Sequence, residues 1–137
     1  MIVFDASTLV SAIIGRGSVP DRAVRHAFAT DRVAVSEATL AELLDVLARP
    51  RLARFIDPEL RDEVLALLDA LGAFFVPTER VTDCRDAKDD KYLELALVAG
   101  AEVIVSGDDD QLVLHPWRGV RILRSADYLA EAEGRGP

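Results

Sequence analysis

Five short apolar runs, most of them separated by a helix-length amphipathic stretch, leave few folds open to this chain. The runs are Ile2-Val3-Phe4, Val33-Ala34-Val35, Ala73 to Val76, Val103-Ile104-Val105 and Val120 to Leu123. They are nearly continuous in apolar character rather than alternating with polar residues. Strands covered on both faces read this way. The stretches between them carry helix punctuation. Ser7 to Ile14 reads as a helical turn stopped by Gly15-Arg16-Gly17, and Pro20 suits the first turn of a helix to about Ala29. Ser36 reads as the N-cap of a helix to Ala48, where Leu40, Leu43, Leu44 and Leu47 take core spacing before Pro50 stops it. Arg51 to Ile56 is a short helix or loop. Pro58 opens a helix to Gly72 with Leu60, Val64, Leu67, Leu68 and Leu71 as its apolar stripe. After a polar crossing from Thr78 to Lys88, a helix spans Asp90 to Val98 and ends at Gly100, and Ser125 caps a last helix to about Glu133. Strands alternating with helices predict an α/β fold: a central parallel sheet of four to five strands with helices on both faces. With no repeat or linker, residues 1–137 read as one domain.

Composition narrows the setting. No apolar run approaches the ~18–20 residues of a membrane span, and MIVFDAST enters a strand directly, with no basic leader. The lone Cys84 has no internal disulfide partner. A cytoplasmic protein that does not enter membranes is expected. The formal net charge of −8 argues against nucleic-acid binding. That argument weakens if acids hold metal ions. The basic residues are also fourteen Arg against two Lys, and Arg suits bidentate phosphate contact.

Four acids stand where an α/β fold would gather them. Asp5 ends the first apolar run and Asp108 follows Val103-Ile104-Val105 by three residues, while Glu42 lies in the helix after Ser36 and Asp90 opens another helix. Carboxyl ends of parallel strands and adjoining helix starts face a common crevice. Two carboxylates ~4–5 Å apart at an effective dielectric of ~20 repel by about 3–4 kcal/mol. A hard divalent cation, Mg²⁺ or Mn²⁺, relieves that cost through oxygen ligands. The pattern points to metal-dependent phosphodiester chemistry, with Ser7 placed to orient Asp5.

Taken together, the segments Val3-Phe4-Asp5-Ala6-Ser7, Leu40-Ala41-Glu42-Leu43, Asp89-Asp90-Lys91-Tyr92-Leu93, Val105-Ser106-Gly107-Asp108 and Gly119-Val120-Arg121-Ile122-Leu123 resemble the PIN-domain ribonucleases. The likeness is to the VapC-like toxins of toxin–antitoxin pairs and spans nearly the whole chain. It maps the family's four acids to Asp5, Glu42, Asp90 and Asp108, with Asp5, Asp90 and Asp108 as metal ligands and Glu42 and Asp110 as further candidates. Asp89 competes with Asp90 for the third place, and Asp90 fits better when counted back from Ser106-Gly107-Asp108. Many members carry Asn where this chain has Ser7, and a hydroxyl can take that orienting role. The resemblance implies a Mg²⁺- or Mn²⁺-dependent endoribonuclease acting on RNA, held by a cognate antitoxin and forming a homodimer. Its alternative is a non-catalytic RNA-binding or scaffolding PIN domain.

Other features receive plainer readings. His26 and His115 fall outside the acid-rich segments, which argues against a paired-histidine ribonuclease or a zinc site. Trp117 reads as a packing aromatic. Arg49, Arg51 and Arg54 around Pro50 read either as a solvated turn or as a grip on RNA backbone. A haloacid-dehalogenase-type phosphatase would need Asp where Ser7 stands, and a receiver domain would need a late strand-end Lys where Ser106-Gly107-Asp108 stands.

Overall fold

The computed structural model describes residues 1–134; the last three residues of the expected domain lie outside the described residues. The strands are β1 (Ile2–Phe4), β2 (Ala34–Val35), β3 (Ala73–Phe74), β4 (Val103–Val105) and β5 (Arg121–Leu123). The helices are α1 (Ala6–Ile14), α2 (Val19–Thr30), α3 (Glu37–Leu47), α4 (Pro58–Leu71), α5 (Asp90–Ala99), α6 (Asp109–Leu112) and α7 (Ser125–Gly134). Short 3₁₀ turns occur at Pro50–Leu52 and Ala87–Asp89.

All strand ladders are parallel. β1, β4 and β5 form one ladder and β2 and β3 another. The two meet at a single bridge between Ile2 and Val33, where the Ile2 N–H donates to the Arg32 carbonyl at 2.8 Å. The spatial order is therefore β3-β2-β1-β4-β5, a five-stranded parallel arrangement with a narrow seam beside β1. Helices cover both faces, and the two-residue period of a strand sorts the core between them. Ile2, Phe4, Val103 and Val105 pack with Leu9, Ile13, Val24, Leu43, Val64 and Tyr128, while Val3, Ile104 and Ile122 pack with Tyr92, Leu93, Leu95 and Trp117.

The local signals act as their chemistry dictates. Ser36 and Thr39 form a reciprocal capping box at the start of α3. Gly100 ends α5 with φ 62°, a left-handed conformation that carries no Cβ penalty in glycine. Trp117 is buried, and its indole N–H donates to Asp83 at 2.9 Å, so it packs as expected. Three expectations change. β3 stops at Phe74, and Val76 beyond it is exposed. Leu44 and Leu71 lie in solvent rather than in the core. Ser125 begins α7 instead of capping it, because the Tyr128 N–H reaches the Arg124 carbonyl. Asp108 also caps a short helix, α6, by accepting from the Asp110 N–H at 2.8 Å.

The fold brings chain ends of strands together. β1 and β4 run in parallel register with Phe4 beside Val105. The next residues, Asp5 and Ser106, therefore emerge side by side at the carboxyl edge of the sheet.

Candidate metal and catalytic crevice

Asp5 sits at the base of a crevice also lined by Ser7, Glu42, Arg49, Asp86, Lys88, Asp89, Tyr92 and Asp108. Its carboxylate is buried and held from several sides. One oxygen caps α1 by accepting from the Thr8 N–H at 2.8 Å. The other accepts from Ser106 Oγ at 2.6 Å, Ser7 Oγ at 3.0 Å and Gln111 Nε2 at 3.4 Å. Burial holds the Asp5 carboxyl above its usual value, against the opposing pull of the hydrogen bonds from Ser106, Thr8 and Ser7. The Ser7 hydroxyl, two residues on from Asp5, thus stands against its carboxylate.

The third acid in the crevice is Asp89 rather than Asp90. The two are neighbours at the start of α5, where successive side chains diverge by about 100°. Asp89, at the end of the 3₁₀ turn, faces the crevice. Asp90 faces the crossing segment, where its Oδ1 accepts from the Cys84 N–H at 2.8 Å. One turn later Glu94 does the same for the Val81 N–H at 2.9 Å. Asp90 is a strut for an irregular loop, and the expectation that it joins the other acids gives way to Asp89.

Glu42 reaches the crevice already accompanied. Its Oε2 accepts from Lys91 Nζ at 3.0 Å and from the Tyr92 hydroxyl. The same hydroxyl accepts from the Ala6 N–H at 3.0 Å, tying α5 to the start of α1. Burial and the Glu42 carboxylate raise the Tyr92 hydroxyl well above the ordinary phenol range. Asp110 is not among the residues that line the crevice. It pairs with Arg85 at 2.9 Å, and Asp86, Asp89 and Asp110 present carboxylate oxygens all within 4.8 Å of one another.

The acids repel where they meet. Asp89 is pushed up to about 7, chiefly by burial, then by its hydrogen bond with the Asp108 carboxylate and the charges of Asp108, Asp86 and Glu42. Its Oδ2 is buried without a hydrogen-bond partner among the described residues. A buried carboxylate oxygen without a donor, facing further carboxylates, fits a hard cation. The donors available are oxygens alone.

The linkage follows from the sign of the shift. A carboxyl raised from 3.8 to about 7 by folding binds more protons native than unfolded, so stability falls as pH rises between those values. In chelator, the melting temperature should therefore be higher at about pH 5 than at about pH 8. Asp31 and Glu63 are lowered by their cationic partners and act in the opposite sense only nearer pH 4 or below. Thermal melts across that range check this, and a flat profile would contradict it.

The sequence reading missed several of these residues. Ser106 and Gln111 are buried polar side chains on Asp5, and Lys91 and Tyr92 hold Glu42. The Ser106 signal was present, a hydroxyl directly after a buried strand in register with the strand of Asp5. The histidines lie elsewhere: His26 packs edge-on to Tyr128 and His115 Nδ1 accepts from the Ile122 N–H at 2.9 Å.

The family model described as PIN domain matches residues 1–110. The chain belongs to the PIN-domain family. It is also similar to an uncharacterized protein of Methanocaldococcus jannaschii, 25% identical over 115 residues that span 82% of this chain and 74% of that protein. A PIN domain has a nuclease-type fold, and PIN domains are generally hydrolases that use divalent metals; the acidic group here is of the kind that holds one. Among the described residues, no helix is long and apolar enough to cross a membrane.

Proposed function

We propose that this PIN domain is a Mg²⁺- or Mn²⁺-dependent endoribonuclease that hydrolyses RNA phosphodiester bonds and serves as the toxin of a toxin–antitoxin pair. The observation that carries the nuclease reading is the convergence of Asp5, Asp89 and Asp108 on one crevice, with a buried Asp89 oxygen left without a donor. Asp5, Asp89 and Asp108 would hold the cation, with Asp86 and Asp110 beside them and Glu42 at the rim. Bound there, a divalent cation supplies Lewis acidity toward a phosphoryl oxygen and makes water a better nucleophile near neutral pH.

The protein's own contribution is positional. Ser7, Ser106, Thr8 and Gln111 fix Asp5 in one orientation, so little rearrangement accompanies substrate binding. Lys91 and Tyr92 hold Glu42 as a hydrogen-bond acceptor that can orient an attacking water. Lys88 and Arg49 on the crevice wall offer cations to the phosphates on either side of the scissile bond.

The toxin assignment, with its cognate antitoxin and homodimer, rests on the likeness of the sequence motifs to VapC-like toxins. The exposed apolar side chains of Leu71, Phe74 and Val76 provide surface that partner chains could cover. Expression in a bacterial host without the antitoxin should arrest growth, and Asp108→Asn should relieve the arrest. Growth unaffected by the wild-type chain, at confirmed soluble levels, would remove the toxin reading.

Metal binding has its own readout. A cation that binds only the native state at a hundredfold excess over its dissociation constant stabilises by about 2.7 kcal/mol. For a chain of this size that raises the melting temperature by roughly 8 °C. Mn²⁺ should produce such a shift and remove the dependence on pH. No shift together with no heat of binding in calorimetry would count against the site.

A further inference from the structure

Beside the crevice, the turn that follows α3 forms an open groove of about 760 Å³ lined by Arg49, Pro50, Arg51, Leu52, Ala53, Arg54 and Phe55. Arg49 lines the groove and the acidic crevice alike, so the two adjoin at that residue. The arginines of this chain are otherwise largely neutralised. Nine of the thirteen described ones are ion-paired. Arg51 and Arg54 are not, among the described residues, and both are exposed. Arg49 is paired only on the solvent side, with Asp45 at 3.4 Å. In a protein of net charge −8, two uncompensated guanidinium groups in one groove are a local reversal of sign.

Phe55 adds a second kind of contact. Its ring is half exposed, and the Arg54 guanidinium lies 4.7 Å from the ring centroid. The packing that holds this turn comes from its neighbours: Ile56 is buried and Leu52 is packed against the core, while the Phe55 N–H is spent on the Leu52 carbonyl at 2.9 Å. A half-exposed aromatic ring next to arginines without ion-pair partners is a combination that single-stranded nucleic acid uses, with phosphates on the cations and a base on the ring.

We propose that this groove binds single-stranded RNA flanking the scissile bond: Arg49, Arg51 and Arg54 contact successive phosphates and Phe55 stacks one base. The proposal rests on the nuclease reading of the adjoining crevice for the class of ligand. A duplex fits less well, because a base stacked on Phe55 must leave its pairing partner.

The probe is a fluorescein-labelled single-stranded oligouridylate of about twelve nucleotides, within the site sizes common for such grooves. Binding is read by anisotropy in chelator at several salt concentrations, where no turnover occurs. Each phosphate contact on a single strand contributes about 0.7 to the slope of log affinity against log salt, so Arg51→Ala/Arg54→Ala should lower that slope by about 1.4. Phe55→Leu should leave the slope unchanged and weaken binding roughly fivefold to a hundredfold, the range for loss of one base–aromatic stack. An unchanged slope in the double variant overturns the proposal, as does undiminished affinity in Phe55→Leu. Tighter binding of a glutamate heptapeptide than of the oligonucleotide would assign the groove to an acidic protein segment and also overturn it. Cleavage of the same oligonucleotide with Mn²⁺ is scored separately. Binding lost with the arginines but no cleavage under any metal supports the groove and counts against the nuclease reading.

Discussion

Asp89→Asn is expected to abolish RNA cleavage and at the same time to raise the melting temperature of the metal-free protein at about pH 8. Both effects have one cause. Asp89 stands among Asp108, Asp86 and Glu42, and its buried Oδ2 has no donor among the described residues, so its negative charge destabilises the fold unless a cation compensates it. An amide removes the repulsion and with it the charge that would hold the cation. Loss of activity should exceed about a hundredfold, the scale seen when one preorganised electrostatic contact is removed from an active site. Asp5→Asn and Asp108→Asn should match that loss. Asp90→Asn should not, because its remaining carbonyl oxygen can still accept from the Cys84 N–H. Steady-state cleavage and chelator melts of the four variants decide it. An inactive Asp90→Asn beside an active Asp89→Asn would reverse the assignment made here. Gain of stability on loss of function is the expected signature of a site built under strain.

The Asp89–Asp90 pair also shows where sequence reading stops. Strand and helix order was legible because buried parallel strands and capped helices write long, redundant signals. Val103-Ile104-Val105 could hardly be anything but a covered strand, and Ser36 marked the N-cap of α3. Asp5 was legible for the same reason, as its position follows from the end of β1. The third acid depended on the helix start, and the 3₁₀ turn Ala87–Asp89 leads into α5 so that Asp89 rather than Asp90 turns inward. A difference of one residue is about 100° of helix rotation, and no periodicity in a short polar crossing records it. The partners of the site were less visible still. Tyr92 read as a helix residue, and its hydrogen bonds to Ala6 and Glu42 span 86 and 50 positions. Gln111 reaches Asp5 across 106 positions from a helix too short for any pattern to mark.

The products of cleavage should carry 5′-phosphate and 3′-hydroxyl ends. Two routes to an RNA phosphodiester differ in their nucleophile. Attack by the neighbouring 2′-hydroxyl leaves a 2′,3′-cyclic phosphate and needs groups that exchange protons near neutral pH, typically histidine. Attack by water needs neither. Neither histidine lines this crevice: His26 packs edge-on against Tyr128, and His115 accepts from the backbone of β5. Tyr92 is raised far from neutrality and its proton is committed to Glu42, while Lys91 is engaged by the same carboxylate. Burial and the acids around it push Asp89 up to about 7, and a cation bound among those acids would favour its ionised form. Carboxylates set to orient water, with no imidazole to deprotonate a ribose, favour the hydrolytic route. Mass spectrometry of a cleaved oligonucleotide reads the ends directly. Placing 2′-deoxyribose at the scissile position gives the larger contrast. The hydrolytic route should still cut it, within about tenfold of the ribose rate if the 2′-hydroxyl contributes only one hydrogen bond to binding. The 2′-hydroxyl route would lose the reaction altogether. Cyclic phosphate ends with an uncut deoxy substrate would sink the carboxylate mechanism, whatever the metal did to the melting temperature.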